Sequence, residues 1–547
     1  MIEIKVFDNS IAEISMPYNQ LLIEKIKQLP SRTYNPTNHT WSIPTCFLDD
    51  FLRNLGGLTY DITYDVKDIS ENALNFEFKT QPFQHQVEAF IYGTNREKFL
   101  LADEPGLGKS KQSIDIAVYK KLAYNYKHCL IICGVLTLTY NWKSEIYTHS
   151  NEDSVILGER YTKNGSIKID TSKKLEFLED IDSLPYFIIT NVETLRNKQI
   201  LDRIRQLIDD KQIEMIIFDE YHKVKNPESM QGKALLSLRT ATRIALTGTP
   251  LMNNPLDLYS VLNWLDIEKH NYYAFKNYFC ILDKFKKVTG FKHLDELNSM
   301  LESVMLRRKK IDVLDLPPKI RKTEYLLMDK EQQKVYDDVK QRAVEELDKV
   351  AKWTTGSVEL IRLRQATGFT GILSSDVRLS VKYDRTFEII DEAISNNDKV
   401  IVFSNWTSVL NPLYAALSNE GYNPAIITGE IEDRRGQEQK FLHDDSCKVM
   451  LGSIGAMGVG LTLTSAQTVV FLDSPWNRAT KEQCEDRCHR IGTRGTVNII
   501  TLVCKDTVDE LVEAVIDEKG ELSDRIVDGK KTETIKGIIR RLFDVNL

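Results

Sequence analysis

The segment "ADEPGLGKSKQ", residues 102–112, indicates the architecture of the chain. The apolar run KFLLAD at its start predicts a β-strand, and KQSIDIAVYKKLA at its end predicts a helix. A strand, a glycine-rich loop and a helix in this order are the context of a phosphate-binding loop. Asp103 stands where the first glycine of such a loop is expected. This motif alone therefore leaves two readings open, a nucleotide site or a glycine turn before a helix.

The residue types in this loop suit a nucleoside triphosphate. Gly106 and Gly108, with Leu107 between them, would let backbone N–H groups approach the phosphates. Lys109 would meet the β- and γ-phosphates, and Ser110 would ligate Mg²⁺. The helix that begins here would add the positive end of its dipole. We therefore expect ATP and Mg²⁺ as the ligands of this loop.

A second motif, MIIFDEYHKVKN, places an acidic pair at the end of an apolar strand. Asp219 would hold Mg²⁺, and Glu220 would position and polarise the attacking water. A solvated turn is the alternative for two acidic residues at a strand end. The phosphate-binding loop upstream favours the catalytic reading.

Two further segments offer candidates for nucleotide contacts. Gln86, 20 residues before Gly106, would read the adenine edge with its amide, and Gln84 is a rival for that role. Thr247 and Thr249, in ALTGTPLMNN, would sense the phosphate state or nucleic acid. A surface amide is the alternative for the glutamines.

Apolar runs that alternate with helical patterns predict α/β architecture. Such runs occur from about residue 82 to 320 and again after about 380, which indicates two parallel sheets covered on both faces. Residues 255–380 between them are expected to be mostly helical. The N-terminal runs IEIKVF and IAEISM predict a hairpin, and QLLIEKIKQL predicts a helix.

Composition excludes several classes of protein. Hydrophobic residues make up 42% and charged residues 28%, and the net charge of −7 argues against a strongly basic nucleic-acid coat protein. A local basic groove is still compatible with that charge. The eight cysteines lack zinc-site spacing, so we expect reduced, mostly buried thiols. No signal peptide or membrane span is expected, which predicts a soluble, cytoplasmic protein.

These motifs, in this order, resemble the Swi/Snf-like branch of the superfamily-two helicase-type motors. Members of that branch carry DEMGLGKT where this chain has DEPGLGKS, so Asp103 fits the branch pattern. The segments LTLTYNWKSE, DEYHKVKN, MLRRKKIDVLDLPPK and GSIGAMGVGLTLTSAQTVVFLDSPWN are further matches, as is QCEDRCHRIG. The resemblance covers roughly residues 80–520 and implies two RecA-like lobes with helical insertions and a small N-terminal α/β domain.

The resemblance also implies roles for residues of the second lobe. Gly458 and Gly460 belong to its glycine-rich motif and would contact the nucleotide. Arg487 and Arg490 are three apart, so on one helical turn their guanidiniums would share a face. They would act across a cleft as arginine fingers. Ion pairs with Glu485 and Asp486 on a wet helix are the alternative.

The N-terminal segment LPSRTYNPTNHTWSIP resembles the HARP domain of annealing helicases, which helps to recognise branched or forked DNA. Arg32 would contact phosphate, and Tyr34 and Trp41 would stack on bases or form the core of the small domain. The motifs elsewhere imply further DNA contacts. The expected DNA contacts are Arg32, Trp142, Thr190, Asn191, Arg307, Arg308 and Trp476.

The expected domains are a HARP-like domain for DNA recognition (1–66), a first RecA-like lobe (75–320) with a helical insertion from about residue 255, a helical linker or insertion (321–380) and a second RecA-like lobe (381–547) that ends in a brace helix. We expect a monomeric, ATP-dependent translocase on duplex, forked or branched DNA, of bacterial or viral origin, that acts in repair or replication. The alternatives are a strand-separating helicase and a junction binder that uses ATP as a clamp without turnover. No interaction with a membrane is expected.

Overall fold

Apolar runs of the sequence form the central strands of the large sheets. The structure is a computed structural model. It describes residues 2–7, 11–29, 31–53, 55, 59–65, 76–161, 167–248, 255–314, 316–349, 353–431, 433–457, 463–475, 478–490, 493, 495–514 and 516. The chain divides into two units between Val313 and Leu314. No helix within the described residues is both long and apolar enough to cross a lipid bilayer.

The N-terminal domain is a mixed sheet covered by helices. Its elements are β1 (Ile2–Phe7), β2 (Ile11–Ser15), α1 (Gln20–Gln28), β3 (Thr33–Asn35), β4 (Thr40–Pro44), α2 (Leu48–Arg53) and β5 (Tyr60–Asp65). The strand order is β3-β4-β2-β1-β5, with β1 and β5 parallel and the other neighbours antiparallel. The predicted hairpin and helix are thus confirmed. Trp41 lies partly buried at the margin of this core, 5.0 Å from the Tyr34 ring.

The rest of the first unit surrounds a seven-stranded parallel sheet. Its strands and hairpins are β6 (Lys98–Leu101), β7 (Cys129–Cys133), β8 (Ser154–Ile156), β9 (Glu159–Tyr161), β10 (Ile167–Ile169), β11 (Phe187–Asn191), β12 (Met215–Asp219), β13 (Thr242–Leu246), β14 (Cys280–Leu282), β15 (Val288–Phe291) and β16 (Met305–Leu306). The order in the sheet is β16-β6-β13-β12-β7-β11-β8. Strands β7 and β11 are buried along their whole length, which explains their continuous apolar sequence.

The helices of this unit connect and cover the strands. They are α3 (Gln84–Thr94), α4 (Lys109–Tyr124), α5 (Thr137–His149), α6 (Lys174–Glu179), α7 (Lys198–Asp209), α8 (Met230–Leu236), α9 (Leu258–Trp264), α10 (Tyr272–Phe279), α11 (Leu294–Glu302) and α12 (Lys310–Val313). Strands β9 and β10 form one antiparallel pair, and β14 and β15 form another. The loop between β6 and α4 is the segment quoted first.

The second unit is built on a six-stranded parallel sheet. Its elements are β17 (Lys319–Leu326), α13 (Lys330–Lys349), α14 (Trp353–Gly368), α15 (Val381–Ser395), β18 (Val400–Ser404), α16 (Thr407–Asn419), β19 (Ala425–Ile427), α17 (Arg434–His443), β20 (Val449–Ser453), α18 (Ile454–Met457), β21 (Thr468–Phe471), α19 (Arg478–Glu485) and β22 (Val497–Cys504). The strand order is β17-β22-β21-β18-β20-β19. Alternate residues of β18 enter two separate cores, Val400 and Val402 one core and Ile401 and Phe403 the other.

The predicted fold class is confirmed: two α/β lobes on parallel sheets follow a small N-terminal α/β domain. The expectation that residues 255–380 are mostly helical needs correction. That stretch also contains the β14–β15 hairpin, strand β16 at the edge of the first sheet and strand β17. Residues 321–326, expected in a helical linker, lie in β17 and pair with β22. The strand is only half buried at the sheet edge, so it lacks the apolar run of a central strand.

The cysteines are free thiols, as expected. Cys129 and Cys133 lie on β7, where burial raises the pKa of both well above its usual value. No cluster of three or more His, Cys, Asp or Glu side chains that could hold a metal ion occurs in the described ranges.

Candidate nucleotide-binding site

The loop between β6 and α4 has a backbone that requires glycine at two positions. Gly106 and Gly108 have φ angles of 93° and 83°, in the left-handed region. A Cβ atom on Gly108 would lie 2.4 Å from Nε2 of Gln86, which leaves no space for a side chain. Helix α4 begins directly after Gly108, and the first N–H groups of a helix lack acceptors within it. The loop is therefore a cradle of backbone donors with the narrow clearance that a phosphate group needs.

Asp103, at the start of this loop, fixes it through hydrogen bonds. Its side chain is fully buried, and Oδ1 accepts hydrogen bonds from the Arg308 backbone N at 3.0 Å and from Arg308 Nε at 3.1 Å. Oδ2 accepts from Arg308 Nη2 at 2.5 Å and from Gln112 Nε2 at 3.2 Å. The aspartate that replaces the expected glycine thus ties the loop to helix α4 and to the segment after β16. Lys109 Nζ donates to the Asp103 carbonyl oxygen at 2.6 Å, so its ammonium lies at the loop.

The carbonyl oxygen of Leu107 is held by side chains from two helices. His85 Nε2 lies 2.9 Å from it, and Gln112 Nε2 donates to it at 3.0 Å. Gln86 Nε2 also donates to it at 3.3 Å, while Gln86 Oε1 accepts from the backbone N of Phe83 at 3.1 Å. These bonds hold the Leu107 carbonyl group and place the Gln86 amide at the loop. Gln84, the rival candidate, is exposed at the start of α3. That Gln86 reads adenine stays a prediction.

The acidic pair lies at the end of β12. Asp219 Oδ2 accepts a hydrogen bond from the Trp142 indole Nε1 at 2.8 Å, and Oδ1 accepts from the Glu220 backbone N at 2.9 Å. Burial and the neighbouring Glu220 charge raise the pKa of Asp219 to about 6, against the lowering effects of Trp142 and of the Lys109 ammonium. The carboxylate of Asp219 and the amine of Lys109 therefore interact electrostatically within one site.

Glu220 has an unusual backbone conformation. Its φ and ψ are 55° and 52°, a left-handed conformation that is uncommon for a residue other than glycine and is concentrated at functional sites. The carboxylate Oε2 lies 3.1 Å from His222 Nδ1. Tyr221, the next residue, is buried and packs its ring against Phe218 and Trp264. The left-handed conformation of Glu220 thus separates the direction of the Glu220 side chain from that of the Tyr221 side chain, which enters the core.

Gly134, at the end of β7, makes room for this acidic pair. Its N–H donates to the Asp219 carbonyl oxygen at 3.0 Å. A Cβ atom at this position would lie 3.0 Å from the Glu220 Cβ and 2.9 Å from Lys223 Cγ. Proline is usual here in the branch that the sequence resembles, but proline lacks the N–H that bonds to Asp219. The glycine therefore keeps both the hydrogen bond and the space.

The residues of this site fit a magnesium–nucleotide. The cradle offers backbone N–H groups and the Lys109 ammonium, which are donors for phosphate oxygens. Ser110 stands in the first turn of α4, directly after the cradle, and Asp219 ends β12 of the same sheet, so this part of the first unit offers a hydroxyl and a carboxylate. Mg²⁺ is commonly bound through one or two protein oxygens together with phosphates and water. This small donor set is the one that the predicted ligands require.

Four of the predicted DNA contacts have other partners in the structure. Trp142 is 1% exposed and holds Asp219, so its ring cannot stack on a base in this conformation. Thr190 and Asn191 are buried on β11, where Thr190 Oγ1 donates to Thr194 and Asn191 Oδ1 accepts from Lys174 Nζ. The Arg308 guanidinium is held by Asp103. These four side chains position the site and the sheet rather than present a surface.

The remaining predicted contacts are differently placed. Arg307 is half-buried beside Arg308. Arg32 Nη1 donates to the Leu29 carbonyl oxygen at 2.5 Å, and burial lowers the pKa of its guanidinium against the raising effect of Glu268. Trp476 lies outside the described residues, as do Thr249, Gly458 and Gly460. Their assignments stay predictions.

The arginines of the second unit do not lie on a helix, which corrects the expected arrangement. Helix α19 ends at Glu485, and Arg487 and Arg490 follow in a turn and a bend. The Arg487 N–H donates to the Cys484 carbonyl oxygen at 3.1 Å, so the chain has tightened from i−4 to i−3 bonding. The two side chains therefore do not share a helical face by periodicity.

The acidic residues beside these arginines bind to β17. The Glu485 carboxylate, 1% exposed, forms ion pairs with Lys319 at 3.0 Å and Arg321 at 2.6 Å. Asp486 forms one with Lys319 at 3.3 Å. Strand β17 thereby fixes the segment that carries Arg487 and Arg490.

Comparison with protein families gives three matches along the chain. The SNF2-related domain matches residues 83–370, which is more than half of the chain. The helicase conserved C-terminal domain matches residues 382–492. The HepA-related protein (HARP) family matches residues 12–49. The matches follow one another in the order that the motifs predict.

Relatives with curated descriptions are similar over most of this chain. An uncharacterized ATP-dependent helicase of Mycoplasma pneumoniae is 29% identical over 449 residues, 80% of this chain and 41% of the relative. The Caenorhabditis elegans homolog of the SWI/SNF-related regulator of chromatin subfamily A-like protein 1 is 26% identical over 535 residues, 92% of this chain and 72% of the relative. Human DNA annealing helicase and endonuclease ZRANB3 is 27% identical over 494 residues, 85% of this chain and 42% of that protein. The chain spans about two fifths of the length of the Mycoplasma relatives.

Proposed function

Since the chain belongs to the SNF2-related family, whose domain covers residues 83–370, we propose that it is a DNA-dependent ATPase that translocates on duplex or forked DNA. The resemblance inferred from the motifs is confirmed by this match, and the ATP-dependent helicases among the relatives support the use of ATP. One observation carries the proposal. The glycine cradle follows the carboxyl end of β6 and the acidic pair ends β12, and these two parallel strands lie on either side of β13 in one sheet, so both motifs lie at the same edge of that sheet.

In this proposal the first unit binds the substrate ATP through its phosphates. The N–H groups of Gly106 and Gly108 and the Lys109 ammonium bind phosphate oxygens, and Gln86 contacts the adenine. The Leu107 N–H donates to the Glu104 carbonyl oxygen at 3.3 Å and would have to exchange that bond for a phosphate. Ser110 and Asp219 hold Mg²⁺, which neutralises charge on the phosphates when it is bound. The hydrogen bonds that Arg308 donates to Asp103 keep the cradle in place before ATP binds, so less conformational entropy is lost on binding.

Glu220 is assigned to the water that attacks the γ-phosphorus. The new bond forms between the water oxygen and phosphorus, the bond to the β–γ bridging oxygen breaks, and the Glu220 carboxylate accepts the water proton. Its left-handed backbone aims the side chain at the site, while Tyr221 anchors the turn in the core. A junction binder without turnover would have no need for such a residue, so its presence favours hydrolysis.

The second unit is assigned the completion of the site and part of the DNA contact. Arg487 and Arg490 would stabilise charge on the transferred phosphoryl group, and Gly458 and Gly460 would contact the nucleotide. Arg32, Arg307 and Trp476 remain our candidates for DNA contacts. The HARP match over residues 12–49 and the annealing-helicase description of a relative support forked or branched DNA as the preferred form.

Two substitutions in the first unit test the assignment. Lys109→Ala removes a phosphate ligand, and Glu220→Gln removes the proton acceptor, so we expect DNA-stimulated phosphate release to fall by roughly 10²- to 10⁴-fold in each. Lys121→Ala is the matched control, because Lys121 lies on the same helix and pairs with Glu152 on the surface. Near-normal turnover in the Lys109 or Glu220 variant would refute the proposal.

The form of DNA that stimulates hydrolysis separates the alternatives. Phosphate release should be measured with duplex, single-stranded and forked DNA side by side, together with annealing and strand displacement on the fork. A translocase is stimulated by duplex or fork and favours annealing. Displacement without annealing would identify a strand-separating helicase, and ATP binding without phosphate release would identify a clamp.

A further inference from the structure

A hairpin outside the nucleotide site presents an aromatic ring to solvent. Strands β14 and β15 project between helices α10 and α11, and Phe285 at the turn is 90% exposed. A buried phenylalanine side chain stabilises a fold by about 1.5–3 kcal/mol, and this ring contributes little of that. A single exposed apolar side chain is common on protein surfaces and needs no explanation by itself. Two further features distinguish this one.

The first feature is that the tip is ordered by its own hydrogen bonds. Asp283 Oδ1 accepts from the backbone N of Phe285 at 2.9 Å and from that of Lys287 at 2.8 Å. The Asp283 N–H donates to the Lys287 carbonyl oxygen at 2.9 Å, and Lys286 closes the turn with a φ of 61°. The ring is therefore presented on a preformed support, so contact with a partner costs little chain entropy.

The second feature is the charge around the ring. Lys284, Lys286 and Lys287 are exposed on both sides of Phe285. Within the ranges that the structure describes, none of these three lysines forms an ion pair. Three ammonium groups around one exposed ring match a base flanked by phosphates, because stacking uses the ring and the phosphates attract the ammonium groups.

The hairpin is also braced at its base. The Tyr278 ring stacks on His293 at 4.6 Å, and Tyr278 Oη donates to Glu296 Oε2 at 2.7 Å, so the two ends of the hairpin are joined. The Lys292 N–H donates to the carbonyl oxygen of the fully buried Phe279 at 2.9 Å. The base of the hairpin is thus attached to helices α10 and α11 of the first unit.

The small N-terminal domain docks close to this base. Ser31, which is fully buried, donates through Oγ to the Ile267 carbonyl oxygen. Ile267 lies between α9 and α10, the helix that leads into β14. The N-terminal domain, part of which matches the HARP family, therefore contacts the segment that precedes the hairpin, within one unit.

We propose that the β14–β15 hairpin is a DNA wedge, in which Phe285 stacks on an unpaired base at the junction of duplex and single strands and the three lysines contact the neighbouring phosphates. Apolar side chains that insert between base steps partly unstack the bases. The wedge rests on the proposed function, because it needs forked DNA as the ligand. It adds a junction contact to a motor whose other contacts follow the backbone.

The test uses the full chain in the absence of ATP. The DNA is a fork in which 2-aminopurine is one base of the first base pair of the duplex. We expect the wild-type protein to raise the 2-aminopurine fluorescence, because the base leaves the stack. Phe285→Ala should abolish this rise and weaken fork binding by roughly 5- to 150-fold, the range for loss of one stacked base. Phe285→Trp should retain both. A triple change of Lys284, Lys286 and Lys287 to Gln should weaken fork binding and flatten its salt dependence.

Tyr273→Ala is the matched control, since Tyr273 is an exposed aromatic residue on the adjoining helix α10. It should leave the fluorescence signal and the fork affinity at the wild-type level. An unchanged fluorescence rise with Phe285→Ala would overturn the wedge. Equal loss of affinity for fork and for plain duplex in that variant would also overturn it, because a wedge acts only at the junction.

The outcome is separable from that of the proposed function. The fluorescence is read without ATP, whereas the proposed function is judged by phosphate release from the wild-type protein and Lys109→Ala. A wild-type protein that hydrolyses ATP on DNA but leaves the junction base stacked would retain the motor and lose the wedge. A hairpin that binds an acidic protein instead would leave fork affinity unchanged in the lysine variant, which also overturns the proposal.

Discussion

At the scale of single residues, opposing effects set the pKa of the Asp219 carboxyl group, which is a proposed ligand of Mg²⁺. Burial and Glu220 raise its pKa to about 6, whereas the Trp142 indole and Lys109 act to lower it. An ordinary aspartate titrates near 3.9. The folded protein therefore binds a proton at Asp219 between about pH 4 and 6 where the unfolded chain does not. The contribution of this group to the free energy of unfolding decreases as the pH rises through that window, and it is largest below it.

This balance predicts a pH dependence of magnesium–nucleotide binding. Below about pH 6 the Asp219 carboxyl is protonated and a poor ligand for Mg²⁺, so affinity should fall as the pH decreases through that value. Trp142→Phe removes the indole N–H that stabilises the carboxylate, so the midpoint of the fall should move to higher pH. Fluorescent-nucleotide binding between pH 4.5 and 8 measures both midpoints. The nucleotide's own titration is common to both proteins, so identical midpoints would contradict the assigned role of Trp142.

At the scale of elements, the nucleotide loop depends on a strand at the sheet edge. Strand β16 pairs in parallel with β6, which brings Arg308 beside Asp103 at the start of the loop. From the sequence, Arg308 was expected to bind DNA. In the structure its guanidinium instead compensates the buried charge of Asp103. In the segment after β16, Arg308 therefore holds the loop, whereas the neighbouring Lys309 is exposed on the surface.

Removal of this guanidinium should destabilise the first unit. Arg308→Ala leaves the Asp103 charge buried with fewer donors, which costs about 3–5 kcal/mol in comparable buried pairs. Urea denaturation should show the loss, and nucleotide affinity should fall with it because the cradle loses its anchor. Asp103→Asn in addition to Arg308→Ala should recover part of the stability, since the uncompensated charge is removed.

Lys309→Ala is the control for this series, because Lys309 is the exposed neighbour of Arg308 in the same segment. We expect its free energy of unfolding to stay within about 0.5 kcal/mol of the wild-type value. A loss in Arg308→Ala no larger than that in Lys309→Ala would show that the Asp103–Arg308 pair does not anchor the loop.

At the scale of the whole molecule, the net charge of −7 would have to coexist with the proposed binding to DNA, which is a polyanion. Attraction to DNA would therefore depend on local clusters of cations, such as the hairpin tip and Arg307, and not on the overall charge. The family matches place the nucleotide loop and the hairpin in the same SNF2-related domain, and the HARP match immediately before it. The cytoplasmic location and the monomeric state stay predictions.

DNA binding by the whole chain should weaken steeply with salt. Each phosphate contact that releases a counterion contributes a slope of about −0.9 for duplex DNA in a plot of log affinity against log salt concentration. Fluorescence anisotropy with duplex and forked DNA between 50 and 200 mM salt, roughly the range over which such contacts are lost, measures the slope. A flat response would contradict a groove that binds the DNA backbone.

The local pattern of the sequence determined the central strands, the nucleotide loop and the acidic pair of this protein. Apolar runs predicted the buried strands because a strand covered on both faces must be apolar throughout, and glycine spacing predicted the loop because its φ angles exclude other residues. These features depend on neighbours in the chain, which a single sequence displays.

Only the tertiary structure decided the partners of charged and aromatic side chains. Arg308 and Asp103 are 205 residues apart, and Trp142 and Asp219 are 77 apart, so no local pattern connects them. Residues 321–326 of β17 were expected in a helical linker, since a half-buried edge strand lacks the continuous apolar run of a central strand. Helix α19 ends before Arg487, although the spacing of Arg487 and Arg490 suited one helical face. A buried charge takes whichever opposite charge the fold brings within hydrogen-bonding distance, and that proximity is a property of three dimensions.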